Sequence, residues 1–165
     1  MGTVAGTRYR PPVNIRLREI TQDNAQAVLA LRSTPAQERF VSTVAYSLQE
    51  AGRHPNENPW LRAIYAGEQP VGFVMVAWDF APEPPHTDGP FFLWKLLIDQ
   101  EHQGKGYGRR AVEQVMNLVR AAGGTELITS YVDGEGNPFP FYANLGFVPR
   151  GDLDPEGEIM LRRSL

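Results

Sequence analysis

Apolar and polar positions divide the chain into short segments whose period switches between two and about 3.6. Between Val13 and Ile20, apolar Val13, Ile15 and Leu17 alternate with polar Asn14, Arg16 and Arg18, the period of a half-buried strand. Thr21 is placed to cap a following helix, with Asp23 and Asn24 in its first turn and Ala25, Val28 and Leu29 on its inward face. Pro35 ends that region. Ser47-Leu-Gln-Glu50 has capping-box spacing and predicts a short second helix before the turn-rich stretch from Gly52 to Pro59. Trp60–Ala66 and Pro70–Asp79, joined by Gly67-Glu68-Gln69, read as strand, tight turn and strand. Prolines 82, 84, 85 and 90 exclude a regular element from Phe80 to Pro90 and leave a loop between two antiparallel strands.

The apolar run Phe91–Ile98 predicts a buried strand, interrupted by Lys95. A buried lysine is costly unless paired, so Lys95 should lie at a cleft edge or meet a carboxylate. After a glycine-rich turn, Val112, Val115, Met116 and Val119 recur at i, i+3, i+4 and i+7 on one helix face, and Gly123-Gly124 stops that helix. Glu126–Val132 is the next strand and Asp133–Asn137 a turn. Asn137 suits an N-cap and Pro138 the first position of a short helix that ends before Gly146. Phe147–Arg150 and Glu158–Leu165 form a last strand pair around a turn from Gly151 to Gly157. This order predicts one mixed α/β domain over residues 13–165, three layers around one sheet, with residues 1–12 as a loose tail. An exposed C-terminal strand pair could join two copies into a homodimer.

Length and composition narrow the function. A chain of 165 residues fits one domain with a sizeable core. A net charge of −3 gives no bulk attraction to nucleic acid and mildly suits a cationic partner. No apolar run is long enough to span a membrane and no signal peptide is visible, so a cytoplasmic location is expected. The absence of cysteine removes disulfides, thiolate metal sites and an acyl-cysteine intermediate. His54, His86 and His102 form no metal-ligand spacing, so no metal is expected.

The candidate chemistry starts where the strand ending at Ile98 meets a helix through Gln103-Gly-Lys-Gly-Tyr-Gly108. Backbone amides at such a helix start converge on phosphate, and glycines at 104, 106 and 108 keep Cβ atoms out of the way. Lys105, Arg109 and Arg110 put cations at the unfavourable end of the helix dipole, an arrangement that favours a bound anion. Two familiar phosphate loops fail. The dinucleotide fingerprint lacks its third glycine, Arg109 standing there for the pair that starts at Gly104, and Gly104-Lys105-Gly106 lacks the hydroxyl of a P-loop.

Gln103-x-x-Gly106-x-Gly108 resembles the acetyl-CoA pyrophosphate loop of the GNAT superfamily of N-acetyltransferases. Asn137-Pro-Phe-Pro-Phe-Tyr142-Ala-Asn-Leu-Gly146-Phe147 resembles the later signature of the same family, at a spacing that leaves room for one helix and one strand. The resemblance implies a central, mostly antiparallel sheet splayed between two parallel strands, with helices on both faces. The cofactor arm would pair with backbone groups of Leu96, Leu97 and Ile98. Backbone amides of Gln103, Gly104, Lys105, Gly106, Tyr107, Gly108 and Arg109 would hold the pyrophosphate. Asn137 would contact the cofactor arm, and Tyr142 would act as general acid toward the departing thiolate. Pro138 and Pro140 depart from the family pattern and could shift the Asn137 contact. The general base stays open between a water chain and the carboxylates Glu38, Asp79, Asp133 and Glu135.

Phe40–Ala51 and Ile64–Met75 are similar to bacterial spermine/spermidine N-acetyltransferases, which implies a polyamine acceptor. Glu38, Glu50, Glu57, Asp79, Glu83 and Asp88 in the acceptor-side segments are compatible with a polycation. Two alternatives remain: acetylation of an antibiotic amine, an amino acid or a protein N-terminus, and a catalytically silent acyl-CoA sensor.

Overall fold

The computed structural model describes residues 14–165. The tail expected over residues 1–12, and Val13 at the head of the first strand, lie outside them. A meander of β1 (Ile15–Arg18), β2 (Pro59–Ala66), β3 (Gln69–Ala77) and β4 (Phe92–Ile98) pairs antiparallel throughout. β5 (Glu126–Tyr131) then runs parallel to β4, and the hairpin of β6 (Val148–Leu153) and β7 (Ile159–Ser164) folds back so that β7 lies against β5. The sheet order is β1-β2-β3-β4-β5-β7-β6. β6 forms the outer edge, with Val148 and Leu153 exposed.

Helices cover both faces, as the resemblance implied. β3 shows why, since its alternate residues are buried on opposite sides. Phe73 and Met75 pack with Val28 and Val44 of the layer made by α1 (Ala25–Leu29) and α2 (Val44–Arg53). Val74 and Val76 pack with Ala111, Val112, Val115 and Val119 of α3 (Tyr107–Ala121), and α4 (Phe139–Asn144) joins that side through Tyr142. Each fully buried valine contributes about 1.5–3 kcal/mol, which fixes α3 across the sheet.

β4 and β5 pair only at Phe92↔Ile128 and Leu93↔Thr129. Immediately beyond, Met75 faces Lys95 while Val76 faces Leu93, so Trp94 is an extra residue on β4. Such a bulge bends its strand, and β4 parts from β5 at this point.

Several boundaries differ from expectation. The second helix starts at Val44, capped by Thr43, whose hydroxyl accepts from Tyr46 N at 3.2 Å. Ser47, expected as the cap, is fully buried inside that helix and donates to Thr43 O at 2.9 Å. Its capping-box spacing is satisfied by sequence alone, while its inward direction is set by packing. The first helix begins at Ala25, one turn after Thr21, whose carbonyl accepts from Ala25 N at 2.9 Å. Pro138 precedes α4 rather than opening it, and β6 continues past Arg150 through Gly151 to Leu153.

Candidate functional site

The gap between β4 and β5 opens into a cavity of about 1090 Å3. Gly104 and Gly106, Leu96 and Tyr142, and Glu57 and Asp88 are all in its lining.

Leu96 and Ile98 carry the free edge of β4 toward the gap. Leu97 does not, because its carbonyl is turned to β3, 2.5 Å from where a Cβ on Gly72 would stand. Backbone groups alternate sides along a strand, so the arm expected along Leu96, Leu97 and Ile98 finds open backbone at two of the three. The Ile98 carbonyl already accepts from Gln103 Nε2 at 3.0 Å. Gln103 is further locked by a reciprocal amide pair with Gln37, at 2.7 and 3.1 Å. Its side chain fixes the loop, leaving backbone to meet a ligand.

Gly104 and Gly106 have φ of 74° and 80°, where a side chain would strain the backbone, and a Cβ on either would meet nothing within 4 Å. They border open space. Gly108 serves differently: its Cβ would stand 3.3 Å from Ile98 Cγ1 and 3.4 Å from the Phe141 ring. It permits close packing of α3 on the strand end, correcting the expectation that all three glycines clear the ligand's path. Gly106 occupies the N-cap of α3, and Arg110 N is bonded to Gly106 O at 3.2 Å. The amides of Tyr107, Gly108 and Arg109 have no intrahelical partner by helix geometry. The Tyr107 side chain lies in the core. Lys105 is exposed and outside the cavity lining, and the Arg109 side chain is engaged by Glu113 at 3.0 Å and Asn144 O at 3.2 Å. The anion-binding capacity therefore rests on backbone N–H groups and the helix dipole. These open glycines, free amides and unpaired strand edge fit an extended phosphate-bearing molecule.

Tyr142 is 8 % exposed, with the rings of Phe141 and Phe147 edge-on at 5.2 and 5.4 Å. Burial pushes its phenol up to about 12, against a lowering hydrogen bond with Thr129; the charge of Glu158 adds a smaller upward push. Thr129 Oγ1 itself donates to Leu93 O at 2.8 Å, leaving its oxygen as acceptor for the phenol proton. Asn137 is not the cap expected of it: Pro138 holds that position, and the Asn137 Oδ1 accepts from Phe139 N at 2.9 Å in an Asx turn just before α4. Its Nδ2 donates to Gly134 O at 2.8 Å, so the side-chain amide is committed at both ends.

The opposite face of the gap is acidic. Lys95 lies at the cleft with Nζ 2.8 Å from Glu50 Oε2 and 3.1 Å from Ser42 Oγ, meeting both conditions its burial demanded. Glu57 and Asp88 line the same face, together with His54, which sits edge-on to Trp94 at 5.9 Å. Burial pushes the Glu57 carboxyl up, with His54 opposing. Asp88 Oδ1 is enclosed and meets no donor. The four carboxylates expected as candidate bases, Glu38, Asp79, Asp133 and Glu135, are all exposed and lie outside the cavity. Sequence reasoning missed Glu158, which lines the cavity but reads in the sequence as an ordinary strand start. It also missed Asp99, Glu101 and His102, whose potential metal-ligand atoms lie within 4.8 Å of one another. Both Asp99 oxygens already accept backbone donors, from Arg32 N at 2.9 Å and Glu101 N at 3.0 Å, and so act as a cap. Among the described residues, no helix is long and apolar enough to cross a membrane.

Comparison with known proteins agrees with this geometry. The acetyltransferase (GNAT) family matches residues 20–147. A spermine/spermidine N(1)-acetyltransferase of Bacillus subtilis is 24% identical over 154 residues, covering 93% of this chain and 100% of that protein. Among solved structures, the PaiA N-acetyltransferase of Thermoplasma acidophilum in complex with coenzyme A superposes with a TM-score of 0.64 at 14% identity, over 92% of this chain and 99% of the other. An aminoglycoside acetyltransferase, also in complex with coenzyme A, gives a TM-score of 0.72 at 16% identity over 92% and 95% of the two chains.

Proposed function

The chain belongs to the acetyltransferase (GNAT) family and is an acetyl-CoA-dependent N-acetyltransferase, and from that premise we propose that its acceptor is a small polycationic amine of the spermidine or spermine kind. The observation that carries this reading is the acidic acceptor face of the cavity. Glu57, Glu83, Asp88, Asp154, Glu156 and Glu158 line it, while the nearby Lys95 charge is matched by Glu50. Carboxylates spread along a cleft suit an acceptor whose ammonium groups are separated by short alkyl chains. The full-length similarity to the Bacillus protein points the same way.

In this reading the amides of Gly106 to Arg109 hold the pyrophosphate of acetyl-CoA, and the edge of Leu96 and Ile98 aligns its arm. The bound cofactor supplies an activated acetyl thioester in the gap. Tyr142 keeps its proton at neutral pH, since burial pushes the phenol up to about 12, and so stands as a donor to sulfur as the thiolate leaves. Its hydroxyl is held at Thr129 on the cofactor side of β5.

The test is a thiol-release assay with acetyl-CoA against spermidine, spermine, diamines, amino acids, aminoglycosides and a short peptide. Turnover confined to polyamines is the expected result, and turnover confined to any other class overturns the acceptor reading. Tyr142→Phe should lower kcat about a hundredfold or more with acetyl-CoA affinity retained. An unchanged rate removes Tyr142 from the chemistry.

A further inference from the structure

We propose that Glu158 is the general base of the transfer, a role that rests on reading the cavity as the site of amine acetylation. The argument starts from strand alternation. Successive residues of β5 face opposite sides of the sheet. Leu127 and Thr129 face the α3 layer, where Tyr142 and Leu161 are buried. Ile128 packs with Met160, Phe92 and Phe80 on the other face. Ser130 shares the face of Ile128, and its Oγ donates to Glu158 Oε2 at 2.5 Å. Glu158 in turn has the parity of Met160, which pairs directly with Ser130. Two neighbouring residues of one strand thus hold two proton-transfer groups on opposite faces of the sheet, and both groups line the cavity.

That division matches what the reaction needs. The cofactor loop and Tyr142 lie on one face, while Lys95, Trp94 and the acidic wall lie on the other. An acceptor ammonium on the acidic face first sheds one proton to solvent, and the free amine then attacks a thioester in the gap and expels sulfur toward the cofactor side. As the C–N bond forms, nitrogen becomes cationic and its proton passes to the Glu158 carboxylate. The C–S bond then breaks, and sulfur takes the proton of the Tyr142 phenol. The proton held on Glu158 returns through solvent to the Tyr142 phenolate, so both groups begin the next cycle as they began the last.

The turn before β7 is built to hold this carboxylate. Asp154 Oδ1 accepts from Glu158 N at 2.7 Å and from Glu156 N at 3.0 Å, and Asp154 N donates to Glu158 O at 2.9 Å. The backbone on which Glu158 stands is pinned on both sides of its Cα, and Ser130 orients the side chain. The four exposed carboxylates named from the sequence have no comparable placement.

The experiment compares wild type, Glu158→Gln, Glu158→Ala and Ser130→Ala for kcat, acceptor KM, acetyl-CoA Kd and melting temperature. Glu158→Gln should lose about a hundredfold or more in kcat, with acetyl-CoA Kd unchanged. A small carboxylate or imidazole added to Glu158→Ala should restore part of the lost rate. Ser130→Ala, which keeps the carboxylate but frees it, should lose less, about three- to tenfold. If Glu158→Gln melts early, Ser130→Ala and the rescue carry the test. Unchanged kcat in folded Glu158→Gln, or a raised acceptor KM at unchanged kcat, overturns the assignment. A wild-type chain that binds acetyl-CoA yet acetylates no amine sinks the acetylation reading itself, and this role with it.

Discussion

Removing the Lys95 ammonium should cost the fold more than its partly open setting suggests. Lys95 and Glu50 side chains are 17% and 19% exposed, and Glu50 Oε2 has under 1 Å2 of accessible surface. Lys95→Met keeps the stem's packing but strands that carboxylate. Stranding a buried charge costs about 3–5 kcal/mol, and the remaining exposure places this case near about 3 kcal/mol. For a chain of this size each kcal/mol corresponds to about 2–4 °C, so melting should fall by about 6–12 °C. Glu50→Leu should cost less, since the lysine stem can swing its amine toward the cavity and Ser42. The double variant should return to within about 1 kcal/mol of wild type, because replacing both members of a buried pair is close to neutral. Denaturant unfolding of all four chains, with unchanged m-values, measures the coupling directly. A Lys95→Met chain within about 0.5 kcal/mol of wild type would refute the reasoning, because the pair would then behave as a solvated surface contact.

Gly72→Ala should destabilise the chain by about 1–3 kcal/mol, since its Cβ would sit 2.5 Å from Leu97 O and 2.8 Å from Ile98 Cδ1. It should also weaken acetyl-CoA binding by shifting the end of β4, and calorimetric titration with unchanged affinity would contradict the placement. Tyr142 makes stability fall at alkaline pH, because its phenol is pushed from 10.0 up to about 12 in the fold. The folded chain then holds the proton more tightly, so this stability is fully present below pH ~10 and is lost as pH rises through ~12. At pH ~11 wild type should lose about 1.4 kcal/mol relative to its own value at pH ~9, a loss that Tyr142→Phe should not show. Equal pH dependence in the two chains would place the phenol in water.

Legibility in the sequence follows the range of the interaction that decides each feature. The i, i+3, i+4, i+7 pattern of α3 and the apolar hairpin of β2 and β3 are local, and both stand where the periodicity put them. Lys95 could be read as paired because an unpaired charge in an apolar run is so costly. Ser47 misled because capping depends on which side of the helix faces the core, which four residues of sequence do not carry. The Trp94 bulge is defined only by counting against β3, so no pattern within β4 could reveal it. Glu158 was missed for the same reason: its neighbour in space is Ser130, 28 positions away.

The two halves of the sheet are stitched by two residue pairs, Phe92↔Ile128 and Leu93↔Thr129. In mechanical terms they are two stiff plates on a short hinge, with α3 as a brace across it. Past the hinge, β4 and β5 share no further ladder pairs among the described residues. An extended molecule in the gap would therefore act as a strut, and its thickness would set how far the Tyr142 wall stands from Lys95. A thicker acyl chain would open the same hinge further, so donor size and acceptor geometry are coupled through one angle rather than through separate pockets.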